Sequence, residues 1–137
     1  MNLPFFTPNP ELDKLFIQDA LNENLLALKG HRAIGGIESI TQHNKNKSQL
    51  LYKVIDQSDF YSNNVATRFR SRMNVPFFTP NPELDKLFIQ DALNENLLAL
   101  KGHRAIGGIR ASIYNSMSME GVKALVSFMV DFEKNSG

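Results

Sequence analysis

One stretch of this chain occurs twice. Met73 to Ile109, MNVPFFTPNPELDKLFIQDALNENLLALKGHRAIGGI, repeats Met1 to Ile37 with a single change, Val75 against Leu3. Directly after the block the copies diverge, the first into Glu38-Ser39-Ile40 and the second into Arg110-Ala111-Ser112. Near-identity marks a recent or artificial event, because old duplications drift. Two copies are also too few for a solenoid, which needs about three repeats. Without one copy, 137 − 37 = 100 residues remain, enough for one domain with a workable core.

Within each copy the local signals are the same. Residues around Pro4 or Pro76 predict a short strand running into a Pro-rich turn. Asn9 and Asn81 are placed to cap a helix, with Pro10 and Pro82 at the first helical position, where a missing N–H costs nothing. Leu12, Leu15, Phe16 and Ala20 then recur at helical spacing, as do Leu84, Leu87, Phe88 and Ala92. The helix ends near Asn22 and Asn24, and at the matching Asn94 and Asn96. Leu25–Leu28 and Leu97–Leu100 read as short strands, followed by a polar turn and a pair of glycines.

Between the copies, residues 37–58 predict a helix with Ile37, Ile40, Leu51, Val54 and Ile55 on its apolar stripe. Its middle, His43-Asn44-Lys45-Asn46-Lys47-Ser48, reads as solvated. Arg68, Arg70 and Arg72 alternate with Phe69, Ser71 and Met73 at strand period. That row reads as a solvated strand face or protected sheet edge, or as a phosphate-tracking patch. After the second copy, Ile109–Tyr114 alternates apolar and polar, placing Arg110, Ser112 and Tyr114 on one face of a strand. Val122, Leu125, Val126, Met129 and Phe132 form the apolar face of a last helix beginning near Ser116–Ser118. The expected fold is α+β: a small antiparallel or mixed sheet covered by helices, with an extra β-α-β segment at the N-terminus. The expected division is residues 1–36, the duplicated partial segment, and 37–137, the complete domain.

Function classes narrow quickly. A net charge of +1 gives no reason to expect nucleic acid or an anionic membrane as partner, and no apolar run approaches a membrane span. The absence of cysteine removes disulfide and thiolate chemistry and fits the cytoplasm. No HExxH, P-loop or dinucleotide fingerprint is present, and three histidines, two of them copies of one position, argue against a metal site. One polar cluster stands out: Lys101-Gly102-His103-Arg104, with Arg110 following. Arginine forks match carboxylate and phosphate oxygens bidentately, so the hairpin is either an anion-binding device or a solvated tip. The first copy keeps His31 and Arg32 but carries Glu38 in place of Arg110, where a carboxylate would repel an anion.

Several runs together resemble a known family. They are Ser71-Arg72-Met73-Asn74-Val75-Pro76-Phe77, Leu84-Asp85-Lys86-Leu87-Phe88, Ala99-Leu100-Lys101-Gly102-His103-Arg104, Gly107-Gly108-Ile109-Arg110-Ala111-Ser112-Ile113-Tyr114-Asn115 and Met119-Glu120-Gly121-Val122-Lys123-Ala124-Leu125. With the upstream Leu50–Tyr61, they resemble the C-terminal domain of the bacterial phosphoserine aminotransferases from about residue 36 to 137. The resemblance implies a homodimeric, pyridoxal-phosphate-dependent parent that transfers an amino group between glutamate and 3-phosphohydroxypyruvate in serine biosynthesis. It also implies roles in substrate binding: His103 and Arg104 for the distal phosphate or carboxylate, Arg110 for the α-carboxylate. The family's large domain, with its Schiff-base lysine and phosphate cup, has no counterpart here. The chain alone is therefore expected to hold no cofactor and to be non-catalytic, because the cofactor carries the hard chemistry. The alternative is a stand-alone module binding small phosphorylated or dicarboxylic anions. A spare block with an apolar helix face also predicts self-association as a homodimer, by edge pairing or by domain swapping.

Overall fold

The computed structural model describes residues 36–137. The chain divides into two units, Met1–Ile40 and Thr41–Gly137. The expected strands and helix of the first copy, with His31 and Arg32, lie outside the described residues.

Helix α1 spans Ile37–Gln57, within a residue of its expected extent. A 3-10 turn follows at Thr67–Phe69. Then come β1 at Asn74–Phe77, α2 at Pro82–Asn94, β2 at Lys101–His103, β3 at Gly107–Ser112 and α3 at Met119–Ser136. The strands form one antiparallel sheet in the order β1-β3-β2. The α+β architecture of a small sheet with three helices is therefore as the sequence predicts.

Local chemistry sets the helix ends. Asn81 accepts the Leu84 N–H at 2.9 Å through its side chain, and Pro82 opens α2. Ser118 caps α3 by accepting from Gly121 N–H at 3.1 Å. Each cap satisfies a donor that the first helical turn leaves unpaired. Asp85, in the first turn of α2, is buried and accepts from both the N–H and the hydroxyl of Thr79, each at 2.8 Å. At the other end Asn96 takes φ 60°, the left-handed residue that closes many helices.

The core lies on one face of the sheet. Val75 and Phe77 of β1 and Ile109 and Ala111 of β3 point into it, joined by Leu51 and Ile55 of α1, Phe88 and Ala92 of α2, and Val122, Leu125, Met129 and Phe132 of α3. Tyr61, Phe77 and Phe88 pack edge to face, with ring centres 5.6–6.0 Å apart, a geometry that matches positive ring edges to negative faces. The Tyr61 hydroxyl donates to Met129 O at 2.8 Å, and burial pushes its pKa well up. Pro76 sits on the edge strand, where a missing N–H is tolerated. Asn63 Nδ2 donates to its carbonyl at 2.6 Å.

Four expectations are corrected. Arg68, Arg70 and Arg72 do not lie on a strand: the chain makes a 3-10 turn there and then runs irregularly to β1. Tertiary pairing explains this, because Arg70 binds Asp56 of α1 through both terminal nitrogens at 2.6 and 2.8 Å and lies over the Tyr52 ring. Leu97–Leu100 is not a strand; pairing starts at Lys101, and Ala99 adopts φ 61°, which breaks extension. Ile37 is 77% exposed and Leu87 45% exposed, so neither belongs to its predicted apolar face. The polar middle of α1 is solvated only in part: Lys45 and Asn46 are exposed, but Asn44, Lys47 and Ser48 are buried.

Candidate functional site

The β2–β3 hairpin carries the predicted cluster. Its geometry depends on glycine. A Cβ on Gly102 would stand 2.1 Å from Gly107 O, and one on Gly108 would stand 2.5 Å from the Phe78 ring. Gly107 and Gly108 also take φ +74° and +70°, the left-handed region that favours glycine. The hairpin can close this tightly only with those residues bare.

His103 and Gly107 form the last register pair, and Arg104 lies in the turn. Both side chains are exposed. His103 Nδ1 accepts the Ala105 N–H at 3.2 Å, leaving Nε2 as the ring's donor. Arg110 is placed differently. It pairs with Pro76 across β1 and β3 and is half-buried. Its Nε is buried and finds no hydrogen-bond acceptor. On the same face, two register pairs along, Asn74 Oδ1 accepts from Ser112 Oγ at 3.1 Å and from the Tyr114 hydroxyl at 3.4 Å.

The three predicted residues thus share one hairpin. Lys101 pairs with Ile109 and His103 with Gly107, Arg104 lies in the turn, and Gly107 and Gly108 at positive φ separate this tip from the regular strand that carries Arg110.

Two other arginines are already engaged. Arg70 is held by Asp56, which raises the arginine's pKa and lowers the carboxyl's. Arg68 lies over the Phe69 ring at 4.7 Å. Among the described residues no group of three His, Asp or Glu could hold a metal ion, and no helix is long and apolar enough to cross a membrane.

A residue that local sequence reasoning missed is Lys47. Its side chain is fully buried, and Nζ donates to the carbonyls of Ile113 (3.4 Å), Tyr114 (2.7 Å) and Met117 (2.9 Å). Beside it Asn44 Nδ2 donates to Asn115 Oδ1. Only burial at helical spacing (Asn44, Lys47, Ser48, Leu51) could have signalled it, and polarity masks that pattern.

The chain matches the class-V aminotransferases over residues 25–125. It belongs to that family. Among solved structures it is similar to a phosphoserine aminotransferase from Bacillus circulans subsp. alkalophilus, with 43% identity and a TM-score of 0.78 over 80% of this chain and 31% of that one. The pyridoxal-phosphate-bound phosphoserine aminotransferase from Trichomonas vaginalis is 38% identical, with a TM-score of 0.70 over 74% and 30%. A phosphoserine aminotransferase followed for radiation damage at its Schiff base is 37% identical, with a TM-score of 0.77 over 80% and 31%. This class-V aminotransferase chain therefore spans about a third of the length of the proteins it matches.

The described residues do not fit pyridoxal phosphate. A Schiff-base lysine needs a free amine in an enclosed site. Lys47 is enclosed but fully hydrogen-bonded, and every other described lysine is exposed.

Proposed function

We propose that this chain is the C-terminal part of a phosphoserine-aminotransferase-like enzyme, contributing cationic groups to its substrate site and lacking transaminase activity by itself. The observation that carries this reading is Arg110. A buried guanidinium N–H without an acceptor is costly, and an anionic ligand oxygen would remove the cost. Arg110 would take the α-carboxylate, and His103 with Arg104 the distal phosphate or carboxylate. The parent activity would be amino transfer between glutamate and 3-phosphohydroxypyruvate, in cytoplasmic serine biosynthesis. Residues 37–137 would form the small domain of that enzyme, and residues 1–36 a duplicated, incomplete segment, with Glu38 standing after the block where the key arginine stands after the second copy. The spare copy would favour self-association, by pairing at an open strand edge or by exchange between chains.

Calorimetry and an NMR titration of the full chain with phosphoserine test the site. Weak, millimolar-range binding centred on Arg110 and lost in Arg110→Gln is expected, because half a site forfeits most of its affinity. Shifts centred elsewhere would refute it. Tight binding would instead favour the stand-alone anion-binding module. A saturable visible absorption band on adding pyridoxal phosphate would refute the absence of a cofactor site. Light scattering at two concentrations tests association, and a strict monomer at both would remove it.

A further inference from the structure

Lys47 sits on α1, 66 to 70 residues away in sequence from the groups it touches. Its partners are three backbone carbonyls in the connection between β3 and α3, and all three only accept. A neutral amine has two N–H donors and a lone pair, so its third contact would set lone pair against lone pair. An ammonium has three donors and no acceptor, and the donor count matches the three carbonyls one for one. We infer that the carbonyls of Ile113, Tyr114 and Met117 form a monovalent-cation site whose resident cation is the Lys47 ammonium, and that the charge of Lys47, rather than its bulk, positions the β3–α3 connection.

Three features support this. Lys47 is 0% exposed, so water does not stabilise its charge and the carbonyl dipoles must. Desolvation pulls its pKa down, yet the only described polar partners are oxygens that favour the charged form. Finally, the Asn44–Asn115 bond joins the same helix to the same connection, so α1 holds this corner at two points. The corner follows β3 directly, and the Tyr114 hydroxyl reaches the Asn74–Ser112 pair beside Arg110. Lys47 is thus a positioning residue for the end of the strand that carries Arg110. The inference does not depend on Arg110 binding an anion.

Chemical rescue in the full-length chain tests it. Lys47→Ala removes the side chain beyond Cβ, a fragment that propylammonium reproduces with the charge and 1-propanol without it. Relative to matched propanol, propylammonium is expected to recover at least half of the lost Tm and to return the Ile113–Met117 amide resonances toward their wild-type positions. The unsubstituted protein supplies the control for salt. No difference between the two compounds would overturn the role of charge. Should Lys47→Ala fail to fold, the wild-type protein carries the test. At neutral pH, Nζ should give a three-proton ammonium signal protected from solvent exchange. A neutral-amine signal, or ammonium protons exchanging as fast as those of surface lysines, would overturn the inference.

Discussion

Gly102→Ala should open the hairpin that presents His103 and Arg104. The new Cβ would stand 2.6 Å from Gly108 O and 2.1 Å from Gly107 O, the latter more than 1 Å inside van der Waals contact. Both atoms are backbone, so no side chain can swing away. Relief requires β2 and β3 to separate by about 1 Å, which carries their hydrogen bonds past useful length. The bonds at risk include Arg110 N–H to Leu100 O at 2.8 Å and those of the His103–Gly107 pair. Two or three bonds at about 1 kcal/mol each, with about 1 kcal/mol of residual strain, give roughly 3–4 kcal/mol. For a domain near 100 residues that lowers Tm by about 12–30 °C, while a typical stability of about 5–15 kcal/mol leaves the protein folded at room temperature. Thermal unfolding by circular dichroism measures the loss, and hydrogen exchange locates it. Lys101–Arg110 amides should lose protection well beyond the global change, while those of α3 follow it. A Tm within about 3 °C of wild type would show that the strands do not approach this closely, and would refute the argument for bare glycine.

Three further outcomes are expected. Asp85→Ala leaves the buried Thr79 N–H without its acceptor, while the hydroxyl keeps Asn81 O at 2.9 Å, and should cost about 1–3 kcal/mol in urea unfolding, whereas replacing an exposed residue of α2 such as Gln90 should cost under about 0.5 kcal/mol. The Asp56 carboxyl is held below the usual carboxylate range by its bond to Arg70, so that contribution is present above the ordinary aspartate value and is lost as the pH falls through the lowered one. Since the Asp56 side chain is 48% exposed, Asp56→Asn should cost no more than about 1 kcal/mol at neutral pH, and the gap to wild type should close on acidification; a gap that widens contradicts the pairing. Ala99→Gly relieves a left-handed residue at φ 61° and should raise stability by about 0.5 kcal/mol, the strain outweighing the extra chain entropy of glycine; a loss of stability would show that the Ala99 methyl packs productively.

What could be read along the chain was whatever depends on near neighbours. The capping signal at Asn81, the helix start near Ser116–Ser118 and the apolar spacing Val122-Leu125-Met129-Phe132 each rest on contacts within a turn or two, and the structure keeps them all. The Lys-Gly-His-Arg hairpin and the strand carrying Arg110 were visible for the same reason, as alternation and paired glycines are local patterns. Errors arose where local polarity stood in for exposure. The run around Lys47 is as polar as a solvated helix face, but its acceptors come from Ile113–Met117, and no periodicity reports a partner that distant. The arginine row followed the same course: alternation suggested a strand, and a carboxylate on α1 bent the chain otherwise.

The duplication divides the matter most clearly. By sequence alone the two blocks are interchangeable in helix propensity and caps, differing only at Leu3 and Val75, and sequence alone determines that just the second runs on into Arg110. Tertiary structure decided what that continuation is worth. β1 pairs with Ser112, Ala111 and Arg110, three residues beyond the repeated block, and with Ile109 at its end. The identity of the block therefore does not suffice to build the sheet, because most of the strand that holds β1 in place is encoded after it. The one substituted position, Val75, is fully buried at the centre of that pairing. There a single added methylene must be accommodated by a close-packed core, a constraint that no local pattern in the chain reveals.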